Sequence, residues 1–343
     1  FAPTLVLARQ TGVLARAVPA DVPVIDLGAR RLATALPRLT QVIRREAPDV
    51  VFCTAGGANV VVSLAHALAG SKARLVLSER SALVRSDRSS WRSAVELPAK
   101  RRLYRRAACV TAVSDGVARD LADVLGLPAE QIATVGNPIV RDDVAHLAAS
   151  PIEHRFFTSG DPVLVAVGRL VAIKDYATML DGLANLQRTQ RARLIVLGIG
   201  PERAALLERA AALGLNDVVD FVGYHENPYP WIARAQLLWQ SSRAEGLPGA
   251  LIQAMAVGTP VVATDCDHGP REVVTDGVDG FLVPVGDAQA LADRAARLLA
   301  DPALRQRLSQ AGKRSAERYL VGPAIARYTA ALAGHAHAQA EAA

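Results

Sequence analysis

Residues 241–260, SSRAEGLPGALIQAMAVGTP, decide the fold of this chain. An apolar, strand-like run (235–240) precedes them, and a turn rich in Gly and Pro follows Glu245. The pattern then predicts a short helix over 248–257 and a further strand over 260–264. A strand, a turn, a helix and a second strand in this order indicate an α/β protein with a parallel sheet.

The turn at the start of this helix predicts a binding site. The N-terminal amides of Gly249, Ala250 and Leu251 and the positive end of the helix dipole are suited to a phosphate group. Glu245 at the mouth of the turn would repel a phosphate, but its carboxylate can accept hydrogen bonds from hydroxyl groups such as those of a sugar. A loop acid before a buried helix is the plain structural alternative.

The stretch resembles the donor site of the retaining glycosyltransferases of family 4, which have the GT-B fold. Their pattern, S-x-x-E-G-x-P-x-x-x-x-E-A-M-A-x-G-x-P-V-V-A, contains two acids. Glu245 matches the first acid, whereas Gln253 replaces the second. The resemblance implies two Rossmann-like domains with parallel sheets that face each other across a cleft. It also implies that Glu245 orients the transferred sugar and Gln253 the ribose.

A second motif lies in VAVGRLVAIKDY (165–176), where Gly168 ends a strand-like run and Arg169 and Lys174 follow. Two cations at the carboxyl end of a parallel strand suit a diphosphate. The run resembles the family's G-R-L-x-x-x-K motif, so we predict that Arg169, Lys174 and Glu245 carry the chemistry. Solvated surface cations are the alternative.

Two further strand ends complete the predicted site. Gly198 and Gly200 in VLGIGPER resemble the family's G-x-G-P turn. The same stretch matches the dinucleotide-binding motif G-x-G-x-x-G only weakly, because Arg203 stands where that motif has its third glycine. In FVGYHENP the resemblance implies contacts with the nucleotide base at Val222, Gly223 and Tyr224.

We expect no metal ion and no cofactor other than the nucleotide-sugar donor substrate, which is expected to be UDP-linked. Asp265 and Asp267 form an Asp-x-Asp pair that binds metal in the other glycosyltransferase fold. Here two cations and a helix N-terminus already offset a diphosphate, so we interpret the pair as turn acids. His268, in the same loop, is a candidate for approach to the donor.

The predicted organisation has four parts. Residues 1–150 are predicted to form an acceptor-side domain that lacks the family's first strand and Gly-rich loop. Residues 151–320 are predicted to form a donor domain. A helix over 321–334 would pack back on the first domain, and residues 335–343 would form a disordered tail. Because the chain begins at Phe1, we expect a processed or truncated N-terminus.

Composition restricts the class of protein. Of 343 residues, 51% are hydrophobic and 4% aromatic, which is typical of α/β layers and argues against disorder. Cys53, Cys109 and Cys266 are odd in number and widely spaced, so we expect reduced core thiols in a cytoplasmic protein. No apolar run reaches the length of a membrane span.

Positive charge concentrates in the first half, where residues 1–150 hold 20 Lys and Arg against 13 Asp and Glu. Nine basic residues lie in one segment, from Arg80 to Arg106, here called the basic segment. Three interpretations of this segment are possible: contact with anionic lipid at the inner membrane face, contact with an anionic acceptor, or a face that is simply solvated. Nucleic acid is disfavoured because Trp91 and Tyr104 are the segment's only aromatic residues. Near its start, Glu79 is a candidate for acceptor contact or for an ion pair with Arg80.

We therefore expect a metal-independent glycosyltransferase of the hexosyltransferase type. It would transfer a sugar with retention to a glycan or glycolipid hydroxyl in cell-envelope synthesis. A nucleotide-sugar epimerase on the same fold and a non-catalytic, sugar-nucleotide-binding subunit are the two alternatives. Gln253 favours the second of these.

Overall fold

The computed structural model describes residues 1–11, 18–83 and 91–335, and of residues 91–95 it describes the backbone alone. The chain divides into two compact units. The N-terminal unit comprises Phe1–Val113, Val117–Val135 and the residues from Arg327 onward; the C-terminal unit comprises Ser114–Gly116 and Gly136–Ala326. The passage to the C-terminal unit at Gly136 thus lies 15 residues before the predicted domain start at residue 151.

The N-terminal unit contains two separate parallel sheets among the described residues. One pairs β1 with β2, and the other has the order β3-β4-β5-β6. The helices that connect these strands include α2, which begins at two glycines after β3. The elements, in chain order, are β1 (Leu5–Leu7), β2 (Val24–Asp26), α1 (Leu36–Glu46), β3 (Val50–Cys53), α2 (Gly56–Ala69), β4 (Arg74–Glu79), α3 (Trp91–Tyr104), β5 (Cys109–Ala112), α4 (Asp115–Leu125) and β6 (Ile132–Thr134).

The C-terminal unit is built on a six-stranded sheet in which every pair is parallel, with the order β12-β11-β10-β7-β8-β9. Its strands are β7 (Val163–Val167), β8 (Arg193–Leu197), β9 (Val219–Gly223), β10 (Leu237–Gln240), β11 (Val261–Thr264) and β12 (Phe281–Val283). Its helices are α5 (Val144–Ala149), α6 (Tyr176–Leu186), α7 (Arg203–Ala212), α8 (Tyr229–Arg234), α9 (Gly249–Val257), α10 (Pro270–Val273), α11 (Ala288–Ala300) and α12 (Pro302–Ala316). Helix α13 (Val321–Ala333) runs from this unit into the other, with the division after Ala326.

Helices cover both faces of this sheet, which explains why its strands are continuous apolar runs. On one face Leu183 of α6 and Leu291 of α11 are fully buried against Leu164 and Leu194. On the other face Ile232 of α8 and Leu251 of α9 are equally buried, together with Leu238. The two faces form separate hydrophobic clusters, so the sheet is the middle of three layers.

The α/β architecture with parallel sheets agrees with the sequence prediction. The sequence predicts helices over 36–46, 115–125 and 176–186, and α1, α4 and α6 have these bounds. It also predicts six strands in the C-terminal unit, and each observed strand lies within two residues of the predicted bounds: 163–168, 193–198, 218–223, 235–240, 260–264 and 280–285. The prediction missed β6, α3, α5, α8 and α12. Helix α3 escaped because Pro98 lies inside it, and a proline usually interrupts a helix.

The three cysteines are buried free thiols. Among the described helices, none is both long and apolar enough to cross a bilayer. The predicted tail from residue 336 onward lies outside the described residues, as do Arg85 and Arg88 of the basic segment.

Candidate functional site

The candidate site lies where the strand order of the C-terminal unit reverses. From β7 the chain proceeds outward through β8 and β9 on one side, and through β10, β11 and β12 on the other. The carboxyl ends of the adjacent strands β7 and β10 therefore diverge into loops that leave in opposite directions. Ligands of open parallel sheets bind in the crevice at such a switch point.

The loops after these two strands bring Lys174 and Glu245 together. Lys174 ends a short 3-10 turn (Ala172–Lys174) after β7, and Glu245 follows β10. Lys174 Nζ lies 2.5 Å from Glu245 Oε1, with side chains that are 22% and 9% exposed. Two of the three predicted catalytic residues thus form one ion pair that solvent still reaches.

Glu245 is held by the strand ends around it. Ser242 Oγ donates a 2.6 Å hydrogen bond to Glu245 Oε1, and the Ser242 carbonyl accepts from Thr264 Oγ1 at the end of β11. Gly269, with φ of +80°, packs closely against the other side of this loop: a Cβ there would lie 3.1 Å from Glu245 Cβ. Both neighbouring loops therefore restrict the position of the carboxylate.

Cys266 is a buried neighbour of the same carboxylate. Burial and the negative charge of Glu245 raise the pKa of the Cys266 thiol to about 12. The thiol is thus neutral at ordinary pH and fills space behind Glu245 without adding a charge.

Lys174 is positioned over the end of β7. A Cβ added to Gly168 would lie 3.7 Å from Lys174 Cε and 3.0 Å from the Tyr176 hydroxyl. Tyr176 donates a 3.1 Å hydrogen bond to the Gly168 carbonyl. A Cβ at Gly168 would thus make only ordinary contact with the lysine stem, but it would crowd the Tyr176 hydroxyl, which gives this glycine of the predicted motif a packing role.

Arg169 is not part of this pair. Its side chain is exposed, and no hydrogen bond or ion pair of it is found within residues 1–11, 18–83 and 91–335. The charge of Arg169 is thus available to a ligand.

Close backbone contacts explain why positions 198 and 200 are glycine. A Cβ on Gly198 would overlap the Gly168 carbonyl oxygen, and one on Gly200 would overlap the Leu170 carbonyl. Hydrogen bonds from Gly168 to Leu197 and from Leu170 to Ile199 join the same two loops. These glycines allow the loops after β7 and β8 to touch, as glycine does wherever backbones approach closely.

The predicted base contacts lie at the end of β9. Gly223 has φ of +85° and accepts a hydrogen bond from the Gly198 amide, whereas Val222 is partly buried against the core. Tyr224 is 53% exposed and Ile199 is 59% exposed, and they follow the ends of the adjacent strands β9 and β8. An exposed ring and an exposed aliphatic side chain at a sheet edge are suited to a flat apolar ligand group.

The N-terminus of α9 offers fewer amides than predicted. The Leu251 amide already donates to the Pro248 carbonyl at 3.1 Å. The amides of Gly249 and Ala250 have no hydrogen bond to the described residues. Two amides, rather than three, are therefore free to bind an anion.

Gln253 lies next to Tyr229 of α8. Burial raises the pKa of the Tyr229 phenol, and the neighbouring Gln253 amide offsets part of this rise. The same phenol donates to the Ile139 carbonyl at 3.2 Å. The predicted ribose contact therefore has a tyrosine beside it that the sequence did not indicate.

The Asp-x-Asp pair shows one internal partner. Asp265 Oδ1 accepts a 2.9 Å hydrogen bond from Arg271 Nε, and Asp267 is exposed. His268 Nδ1 lies 2.8 Å from the Asp267 carbonyl oxygen. Within the part of the chain that the structure describes, no three His, Cys, Asp or Glu side chains are grouped as a metal site would need.

In the N-terminal unit, Glu79 pairs with Lys100 rather than with Arg80. Its Oε2 atom lies 3.3 Å from Lys100 Nζ and accepts a 2.9 Å hydrogen bond from Tyr104, and all three residues are buried. Arg80 is exposed. Of the two roles considered for Glu79, the ion pair is therefore made with Lys100 of α3 and not with Arg80.

Several cations of the basic segment are already engaged in contacts within the N-terminal unit. Besides Lys100, Arg101 donates to the Val124 carbonyl and Arg105 to the Gly126 carbonyl. Arg102 and Arg106 are exposed. The described part of the segment thus leaves fewer cations for a membrane or an acceptor.

Sequence reasoning missed the residues that support the ion pair, above all Asp175, Ser241 and Arg243. Asp175 forms the N-cap of α6 and bonds to Arg243, and Ser241 donates to backbone carbonyls of the Lys174 loop. An Asp directly before a helix is a recognisable cap, but its bond to a residue 68 positions away has no local signal.

Comparison with known proteins gives matches over nearly the whole chain. Residues 152–315 match the family model described as glycosyl transferases group 1, and residues 2–138 match that of the glycosyl transferase 4-like domain. The lipopolysaccharide core biosynthesis glycosyltransferase LpsE of Rhizobium meliloti is 30% identical over 218 residues, which are 63% of this chain and 61% of that protein. The alpha-D-kanosaminyltransferase of Streptomyces kanamyceticus is 29% identical over 62% of this chain and 56% of its own length. The chain thus aligns with less than two thirds of these two relatives.

Solved structures show the same fold. Anabaena HepE, solved in complex with UDP-glucose, superposes with a TM-score of 0.81 at 21% identity, over 96% of this chain and 91% of that chain. Sucrose-phosphate synthase from Thermosynechococcus elongatus superposes with a TM-score of 0.74 at 21% identity, over 92% and 84%. The solved structures show the GT-B fold, and the two family models, which together match residues 2–138 and 152–315, show that the chain belongs to the group 1 glycosyltransferases of family 4 type.

Proposed function

We propose that this protein is a retaining glycosyltransferase that moves a sugar from a UDP-sugar to a hydroxyl of a lipid-linked or polysaccharide acceptor in cell-envelope glycan synthesis. The observation that carries the proposal is the Lys174–Glu245 pair at the switch point of the C-terminal sheet. One cation and one hydrogen-bond acceptor there match the two halves of such a donor, a diphosphate and a polyhydroxylated ring. The relative from Rhizobium meliloti that is named for lipopolysaccharide core biosynthesis supports the acceptor class.

The chemistry asks the protein to stabilise negative charge on the departing diphosphate. Lys174, the exposed Arg169 and the amides of Gly249 and Ala250 supply preorganised positive charge for this. When the diphosphate takes over Lys174, the carboxylate of Glu245 is released to accept hydrogen bonds from the sugar. The donor thus replaces an internal ion pair instead of filling an unpaired charged site.

The proposal also includes catalysis without a divalent metal, since cations of the chain offset the diphosphate. Asp265, which an Asp-x-Asp metal site would require, is bonded to Arg271. Activity that persists in EDTA would support this point. If EDTA abolishes transfer and Mn²⁺ or Mg²⁺ restores it, this part of the proposal is wrong.

The test is incubation of the protein with a panel of UDP-sugars and with lipid-linked and oligosaccharide acceptors. Proton NMR of the product gives the anomeric configuration, and retention is expected. Epimerised UDP-sugar in place of transfer would identify an epimerase. Binding of UDP-sugars without turnover of any of them would indicate a non-catalytic subunit.

A further inference from the structure

Asp175, the residue after Lys174, has a backbone conformation that few residues adopt. Its φ and ψ are both 48°, and Ala47 is the only other non-glycine residue with positive φ within residues 1–11, 18–83 and 91–335. Such left-handed geometry costs free energy in residues that have a Cβ, although Asp and Asn tolerate it better than most. The turn must therefore be held by its surroundings.

The buried carboxylate of Asp175 makes the contacts that hold it. Oδ2 accepts a 2.9 Å hydrogen bond from Arg243 Nε and another of 2.9 Å from Thr178 Oγ1. The Asp175 side chain is 4% exposed, whereas that of Arg243 is 63% exposed. A buried carboxylate is thus neutralised by a cation that reaches it from the loop before Glu245.

The backbone joins the same two loops. Ser241 Oγ lies 2.9 Å from the Lys174 carbonyl and 2.8 Å from the Asp175 carbonyl, so its proton is shared between them. The Arg243 amide donates to the Ile173 carbonyl at 2.8 Å. Residues 241–243, at the start of the loop that contains Glu245, are therefore hydrogen-bonded to the turn that contains Lys174.

Two other helices show that an Asp can cap a helix without a left-handed backbone conformation. Asp287 caps α11 through the Ala290 amide at 2.8 Å, and Asp301 caps α12 through the Leu304 amide at 2.9 Å, both with negative φ. The equivalent bond from the Thr178 amide to Asp175 is 3.4 Å long. The capping bond of Asp175 is thus longer than those of Asp287 and Asp301. Its shorter hydrogen bonds are accepted from Arg243 and from the Thr178 hydroxyl.

We propose that Asp175 and Arg243 are positioning residues, which fix Lys174 against Glu245 by holding the left-handed turn after β7 to the loop after β10. This inference rests on the proposed function of the Lys174–Glu245 pair. It predicts that loss of the Asp175 carboxylate displaces the ammonium group of Lys174 without unfolding the unit.

The test compares Asp175→Gly with Asp301→Gly in the full chain. Glycine keeps the left-handed turn of residue 175 accessible, and the cation left without its partner, Arg243, is exposed to water. Replacement of the capping Asp301 by Gly costs little stability. Both variants should therefore melt within a few degrees of the wild type. Asp175→Gly should reduce kcat/KM by about 10- to 100-fold, as expected when a reacting group is misplaced. Asp301→Gly should leave kcat/KM unchanged. Equal kcat/KM for the two variants would overturn the proposal.

Further variants separate positioning from folding. Asp175→Asn retains a left-handed-tolerant residue with a neutral acceptor and should recover part of the lost activity. Arg243→Gln changes an exposed side chain, so it should fold normally and reduce kcat/KM in the same direction. The double variant Asp175→Gly/Arg243→Gln should be no worse than Asp175→Gly, because both remove one bond; full additivity would contradict the bond's role.

Crystal structures provide a readout that does not depend on activity. In Asp175→Gly, Lys174 Nζ should leave hydrogen-bond distance of Glu245, and in Asp301→Gly it should not. An unmoved Lys174 in Asp175→Gly would overturn the inference even if no UDP-sugar is turned over. Absence of turnover in the wild type, with Lys174 displaced in the variant, would instead reject the proposed function and keep the positioning role.

Discussion

Lys174 Nζ and Glu245 Oε1 are 2.5 Å apart although the two residues are separated by 71 positions in the chain. The contact exists because β7 and β10, which are distant in sequence, are neighbours in the sheet. In the absence of a donor the two charges cancel each other. Their separate removal should therefore have different effects on the two halves of a UDP-sugar.

Lys174→Ala should reduce kcat by about 100- to 1000-fold, because one preorganised charge contact to the departing diphosphate is lost. UDP affinity should fall as well, since Glu245 would be left without its cation near the diphosphate. Steady-state kinetics and calorimetry measure both quantities. Lys72→Ala, which changes an exposed lysine of the N-terminal unit, is the matched control and should behave as the wild type. Near-wild-type kcat in Lys174→Ala would reject the assigned role.

Glu245→Gln should damage transfer while it preserves or improves the binding of UDP itself. UDP lacks the sugar that the carboxylate is proposed to hold, and loss of the negative charge removes repulsion of the diphosphate. Calorimetry with UDP and kinetics with the UDP-sugar separate the two effects. A parallel loss of UDP affinity and transfer would show that Glu245 acts mainly on Lys174.

Gln253→Glu should keep or strengthen UDP binding. A carboxylate accepts ribose hydrogen bonds with a full charge. The Tyr229 phenol beside it has a single proton and could donate it to this carboxylate only by leaving the Ile139 carbonyl. Tyr229→Phe in the same background tests whether that phenol competes for residue 253. If UDP binds to Gln253→Glu and not at all to the wild type, the enzyme proposal fails and a non-catalytic role replaces it.

Gly198→Ala should destabilise the C-terminal unit by about 1–3 kcal/mol, because its Cβ would overlap the Gly168 carbonyl. Gly322→Ala is the control: no atom lies within 4 Å of its Cβ, and it is helical, so it should be neutral or slightly stabilising. Urea unfolding measures both free energies. Equal stability of the two variants would show that the loops after β7 and β8 separate easily.

The Cys266 thiol predicts a dependence of stability on pH in the alkaline range. Its pKa rises from the ordinary 9.0 to about 12 on folding. The unfolded chain therefore loses this proton first, and the contribution of the thiol, complete below pH 9, is lost as the pH rises towards 12. From pH 8 to pH 10 the wild type should lose about 1 kcal/mol more free energy of unfolding than Cys266→Ala. The buried tyrosines are common to both proteins, so their effects cancel in this comparison.

Much of this architecture was predictable from local pattern, whereas the contacts between loops were not. Apolar runs between turn residues marked each strand of the C-terminal sheet, and the motifs around Lys174 and Glu245 pointed to one sheet edge. The sequence did not reveal that Gly198 serves a backbone crossing, that Leu251 has already used its amide, or that Asp175 reaches Arg243. The Gly198 and Asp175 contacts depend on strand order, which local periodicity does not specify, and the Leu251 bond depends on the exact conformation of the turn at Pro248.

Strands β7 and β10 are the two innermost of the six, with two further strands outside each of them. Local opening of a sheet begins at its margins, where backbone hydrogen bonds are exposed to water. Hydrogen exchange should therefore be fastest in β9 and β12 and slowest in β7 and β10. The loops that carry Lys174 and Glu245 should thus be anchored in the slowest-exchanging part of this sheet, so that fraying of the outer strands leaves their spacing unchanged.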